Sequence, residues 1–208
     1  MKKTATPIPC AVLVSALLLW MPSARAHHAE FMSNAPFLQG LSMPVHGLDH
    51  LLSAIAVGLF AARVRTRQKT GLLLAVYALV TLAGGALNLS GMMLPECAVP
   101  LTVAATGFLL WRELPAGWVP GCVALAAAGF CHGEALLHQT AEGGRWTLFA
   151  MGCLCATLAV CGAAFWAGRF VAERRLRLAG AGLVAATVLV TLFPEANGVL
   201  VRLLEGPR

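Results

Sequence analysis

Charged residues in this chain fall in short clusters, and between the clusters lie stretches free of charge at 70–95, 97–111, 114–133, 146–168 and 178–194. Each is close to the about 20 apolar residues that an α-helix needs to cross a bilayer. A further apolar stretch follows Ser42 and ends at Arg63, broken only by Asp49 and two histidines. The pattern predicts six membrane spans, at about 41–62, 71–94, 96–111, 116–138, 146–168 and 178–194. The third is only 16 residues and contains Pro100, so it is expected to be short, kinked or tilted. Ala54, Gly58 and Ala62 recur at helical spacing on span one and would let a neighbouring helix approach closely.

Composition agrees with this pattern. The chain is 59% hydrophobic and 12% charged, where a soluble domain carries about 25% charge, and its mean hydropathy is +0.78. An ordinary water-soluble fold is excluded, and an all-α membrane protein is expected.

The loops are too short to fold alone, so residues 27–208 are read as one domain. Residues 1–26 have the order of a secretory signal peptide: Lys2 and Lys3, an apolar core from Ile8 to Trp20, Pro22, then Ala24-Arg25-Ala26 as the cleavage site. Removing it would take three positive charges, and the formal net charge would fall from +6 to +3. The remaining basic residues lie in loops rather than in a patch, which argues against a nucleic-acid partner.

Loop charge sets the orientation. Arg63, Arg65, Arg67 and Lys69 follow span one, Arg112 follows span three, and Arg169, Arg174, Arg175 and Arg177 follow span five. The positive-inside rule makes these loops cytoplasmic. Both ends of the mature chain would then be periplasmic, in a bacterial inner membrane.

Two spans carry polar residues that an apolar helix does not need. Span one opens Met43-Pro44-Val45-His46-Gly47-Leu48-Asp49-His50, with the chain's single Asp. As one helix it would place His46 and His50 on a common face, with Asp49 beside them to hold an imidazole tautomer. Span four carries Cys131, His132, Glu134 and His138 within two turns, a set of side chains suited to a transition metal. Intramembrane ionisable groups usually line a cavity, pair or bind an ion.

Depth relates the two clusters. His50 lies 13 residues before Arg63, about 20 Å at the helical rise, and His132 lies 16 residues beyond Ala116, about 24 Å. Glu96 and Cys153 fall in the same outer half, and one outward-facing vestibule could collect them all.

Most of the seven cysteines lie inside apolar stretches and read as small hydrophobes rather than a disulfide framework. Cys161 is the inward candidate ligand. His27-His28 would head the mature chain, where a plain flexible end is the simpler reading than a chelate.

With these residues in view, span one resembles the signature of the HupE/UreJ family, membrane accessory proteins of hydrogenase and urease gene clusters regarded as nickel permeases. The family pattern His-Pro-x-x-Gly-x-Asp-His meets Met43-Pro44-Val45-His46-Gly47-Leu48-Asp49-His50, followed by Val57-Gly58. Leu94-Pro95-Glu96, Thr102, Gly107, Gly152 and Thr157 extend the similarity. The departures are specific. Met43 replaces the family's first His. On span four, His132, Gly133 and Ala135 match the pattern, while Leu136 and Gln139 replace a His and a Glu. Cys161 stands where a His is expected. Met and Cys in place of His soften the ligand set.

The expected function is a permease that admits a divalent transition metal from the periplasm in support of metalloenzyme maturation. Nickel is the first candidate, with cobalt or copper as alternatives. The candidate ligands are His46, Asp49, His50, Glu96, Cys131, His132, Glu134, His138 and Cys161. No resident cofactor is expected. The expected partners are the lipid bilayer, the metal ion and urease or hydrogenase maturation proteins. The alternative is an intramembrane metal-binding enzyme or redox assembly factor on the same residues. A transporter needs polar positions continuing inward, whereas an enzyme needs one closed site with an activated water.

Overall fold

The computed structural model describes residues 35–46, 48–64, 66–88, 94, 98–112, 119–137 and 146–192. The signal peptide, the 142–145 loop and the chain's last residues lie outside them. The described residues form seven helices and no strand: α1 (Pro36–His46), α2 (Leu48–Arg63), α3 (Arg67–Asn88), α4 (Ala98–Trp111), α5 (Val119–Leu137), α6 (Trp146–Arg169) and α7 (Glu173–Leu192). Helices satisfy their backbone hydrogen bonds internally except at the ends, which suits a segment in lipid.

Three of them, in α3, α5 and α6, are long and apolar enough to cross a membrane, and α1 with α2 adds a fourth if that bent pair is one span. At 14 residues α4 is a shorter apolar helix, as expected of the segment that holds Pro100. The sixth span was expected to begin near Leu178, but α7 starts at Glu173 and takes Arg174, Arg175 and Arg177 into its first turns. Charged side chains can head a helix as long as its end reaches water, and Glu173 in the first turn suits the positive end of the helix dipole.

Span one is not one helix. Its two parts, α1 and α2, meet at an angle of 74°. Pro44, inside α1, removes a backbone donor, and the sequence between the two helices is a single Gly47. His46 is therefore the last residue of α1 while His50 belongs to the first turn of α2. The shared helix face expected for these histidines does not exist, because a common face requires continuous helical phase.

Small residues set the packing. Any side chain at Gly58 would strike the backbone carbonyl of Cys161, and one at Gly168 would meet Ala62, so α2 and α6 lie side by side and run the same way. Gly129 and Gly133 seat α5 on the backbone of Tyr77 and Thr81, which makes α3 and α5 a second close, parallel pair. Gly40 and Gly152 join α1 to α6. Gly107 and Gly180 join α4 to α7 in opposite directions.

Arg63, at the end of α2, ties three helix ends together. Its Nη1 donates to the carbonyls of Leu109, Leu110 and Arg112, at 3.0, 3.0 and 2.8 Å, and its Nη2 reaches Glu173 at 3.3 Å. These are the carbonyls that the last turn of α4 leaves without helical partners. The end of α2, the end of α4 and the start of α7 therefore lie at one level, all next to loops expected on the cytoplasmic side.

Candidate functional site

The centre of the bundle holds two imidazoles in contact. His50 comes from the first turn of α2 and His132 from the last two turns of α5, between the two glycines that bring α5 onto α3. Their Nδ1 atoms are 3.4 Å apart, and the rings meet edge to face with centroids 4.9 Å apart. His132 has no exposed surface and His50 is 9% exposed. Thr157 of α6 places its Oγ1 3.5 Å from His132 Nε2. The Tyr77 ring of α3 lies 6.2 Å from the His132 ring. Four helices thus supply side chains to one polar layer.

A packed cluster lies on each side of the layer. Toward the expected periplasmic end, Leu136, Phe149, Ala150 and Cys153 form an apolar cluster, with Met43, Leu82 and Trp146 packed against it. Toward the expected cytoplasmic end, Ala54, Val57, Phe60, Leu73, Leu125 and Ala128 pack with Tyr77 and Cys161. Among the described residues the two imidazoles are buried rather than exposed in an open vestibule.

The Nδ1 separation has chemical meaning. At 3.4 Å the contact is long for a hydrogen bond, since N–H···O bonds span about 2.7–3.2 Å. Two nitrogens each about 2.05 Å from a tetrahedrally coordinating ion stand about 3.3 Å apart. The separation is compatible with a long ring-to-ring hydrogen bond, its donor set by the tautomers, and equally with two nitrogens facing one ion.

The other candidate ligands are placed as follows. Asp49 is half-buried in the first turn of α2, where a carboxylate offsets the positive end of the helix dipole beside His50. Cys131 is half-buried and within electrostatic reach of Glu134, which is buried. Cys161 is buried in the apolar cluster on the cytoplasmic side of the histidines. Cys153 belongs to the opposite cluster. His46 ends α1. Glu96 and His138 lie outside the described residues. Among the described residues, no three His, Cys, Asp or Glu side chains come together as a metal-holding group.

Residues 15–192 match the family described as HupE / UreJ protein. The chain belongs to the HupE/UreJ family. Within that match lie both histidines, the α1–α2 break and every described helix. A protein described as Protein HupE, from Rhizobium leguminosarum bv. viciae, is 33% identical over 127 residues, which cover 60% of this chain and 62% of that protein. No solved structure matches the chain.

Two residues of the layer escaped the sequence reading. Tyr77 and Ser53 sit in apolar stretches where a single Tyr or Ser passes for packing. The signal at Tyr77 is its depth. It is the chain's only tyrosine, and tyrosines in membrane helices concentrate at the interfaces, where the hydroxyl reaches water, rather than in mid-span.

Proposed function

We propose that this HupE/UreJ protein is a permease of the bacterial inner membrane that admits a divalent transition metal from the periplasm, with nickel as the first candidate and cobalt or copper as alternatives. The carrying observation is the His50–His132 pair: two imidazoles from separate helices, enclosed in the bundle, with Nδ1 atoms 3.4 Å apart. Burial of two polar rings among apolar helices is costly, their contacts to each other and to Thr157 at 3.4 and 3.5 Å are long, and an ion held between them would offset the cost. The ion they hold is the cargo, taken up to support maturation of a urease or hydrogenase.

Six crossings after a cleaved signal peptide fit the helix directions: α2 with α6 parallel, α3 with α5 parallel, and α4 opposed to α7. Alternating spans from a periplasmic mature N-terminus require those relations. A broken span at the site also suits transport, since half-helices end at the substrate in many secondary transporters. Asp49 then offsets the positive end of α2 next to a cation. The membrane potential suffices as a driving force, because a divalent cation gains about 4.6 kcal/mol per 100 mV, at about 2.3 per charge.

The enzyme alternative needs one closed site with an activated water. Polar side chains continuing one turn inward from the histidines favour the permease. Uptake of radioactive nickel into cells, or into vesicles holding the purified full-length protein, tests the reading. Wild type should accumulate nickel above empty vesicles, and His50→Ala and His132→Ala should not, at equal amounts of inserted protein. Uptake equal to empty vesicles in the wild type would sink the proposal.

A further inference from the structure

We infer that the metal path has a second, inner station one helical turn toward the cytoplasm from the histidines, formed by Tyr77 Oη, Ser53 Oγ and the Cys161 thiol. The inference rests on the permease reading for its place in a path, but its ligands stand on their own observations.

Tyr77 Oη and Ser53 Oγ are buried without a hydrogen-bond partner. Both residues are sealed, at 0% and 1% exposure. The Tyr77 hydroxyl lies near the Ser53 and Thr81 hydroxyls, close enough to interact but outside hydrogen-bond geometry, and within electrostatic reach of the Cys161 thiol. Thr81 Oγ1 donates its proton to the Tyr77 carbonyl at 2.8 Å, so toward the Tyr77 hydroxyl it can only accept. Tyr77 and Cys161 pack in one cluster, and Cys161 is a free cysteine.

Other buried hydroxyls of the bundle behave differently. Thr102 donates to Val99 O, Thr106 to Thr102 O and Thr187 to Leu183 O, the ordinary way in which a helix absorbs a hydroxyl. Ser53 could make the same bond to the preceding turn of α2 and does not. A buried polar atom without a partner calls for an ion or water that would complete it. Two such atoms, with a free thiol in the same cluster as Tyr77, offer a donor set of two oxygens and one sulfur.

That set suits a divalent transition ion with affinity for sulfur, and suits it for passage rather than retention. Neutral hydroxyls are weak ligands, and the one strong donor, the thiolate, forms only when binding releases the thiol proton. A path must hold its ion firmly enough to admit it and loosely enough to let it go. The imidazole pair serves the first need and the inner station the second. By the helical rise, Ser53 lies about 15 Å from Arg63 at the cytoplasmic end of α2, where His50 lies about 20 Å from it.

The probe is cobalt(II) alone, titrated into the purified, reduced full-length protein in detergent, with nickel uptake measured in parallel in vesicles. Wild type should develop the near-ultraviolet charge-transfer absorption of a cobalt–thiolate bond. Cys161→Ala and Cys161→Ser should both abolish it, so a folding failure of one variant leaves the other. Tyr77→Phe and Ser53→Ala remove only hydroxyls. They should weaken cobalt binding at the thiolate at least fivefold and slow nickel uptake by a similar factor. If the hydroxyls are only packing misfits, these two variants will melt higher than wild type with cobalt binding unchanged, and the inference fails. It also fails if wild type shows no thiolate band, as when a water fills the space, or if the band survives loss of Cys161. Should the band behave as expected while wild-type vesicles carry no nickel, the inner station stands and the permease reading falls.

Discussion

Gly133 rests directly on the backbone carbonyl of Thr81, so closely that a β-carbon at position 133 would collide with it. His132 is the adjacent residue, and the close approach of α5 to α3 holds it at its depth in the bundle. Gly133→Ala is therefore expected to push the two helices apart and cost about 1–3 kcal/mol, the usual penalty for overpacking. Gly162→Ala is the control, since a β-carbon there meets nothing within 4 Å. Thermal unfolding in detergent should show a clear loss of stability for the first and none for the second. Nickel uptake should fall with Gly133→Ala alone.

The two histidines should act as one unit. Each single alanine variant leaves an incomplete coordination shell, so removing the second imidazole has little left to remove. Positions that share a ligand are non-additive, whereas independent positions about 7–10 Å or more apart add. His50→Ala with His132→Ala is expected to take up nickel no worse than the poorer single variant. Losses that multiply, from singles with measurable residual uptake, would mean two separate sites.

Arg63 spans three carbonyls and a carboxylate, a reach that depends on its planar fork of donors. Arg63→Lys keeps the charge but cannot serve all four acceptors, and Arg63→Ala leaves the end of α4 bare. We expect Arg63→Ala to cost about 1.5–3 kcal/mol, the range for hydrogen bonds to a charged group. Arg63→Lys should recover less than half of it in denaturant or thermal unfolding of the purified protein. Equal stability of the lysine variant and wild type would show that charge alone is sufficient there.

Orientation can be read from single cysteines placed in a background freed of the others. Residue 66 should be shielded from an impermeant thiol reagent in intact cells and labelled after lysis, and a residue between 142 and 145 should react from outside. Labelling of residue 66 in intact cells would reverse the whole arrangement.

The level of the two histidines was legible in the sequence, because helical rise is constant and basic loops mark one face. Counting residues from Arg63 and from Ala116 put His50 and His132 at similar depth, and their rings touch. The break before Leu48 was not legible in the same way. Hydropathy reads apolar content and runs unbroken across a change of direction, while Pro44 alone can be carried inside a helix, as it is here. The Tyr77–Ser53 contact was hidden for a different reason: it joins α2 to α3 through a neighbour relation that no spacing along one helix encodes. Helix starts were least legible where charge enters a span, as at Glu173.

The imidazole contact also lies on a seam. His132 belongs to the close α3–α5 pair, while His50 belongs to α2, which is locked to α6 through Gly58. An ion that bridges both rings is bound by two bodies at once, so it acts as a fastener, and loading it and shutting the seam are one equilibrium. On the proposed permease reading, such an ion would favour the closed form by as much as it prefers two imidazoles to one. Its release would then require the seam to part, and the empty protein would have less holding it shut than the loaded one.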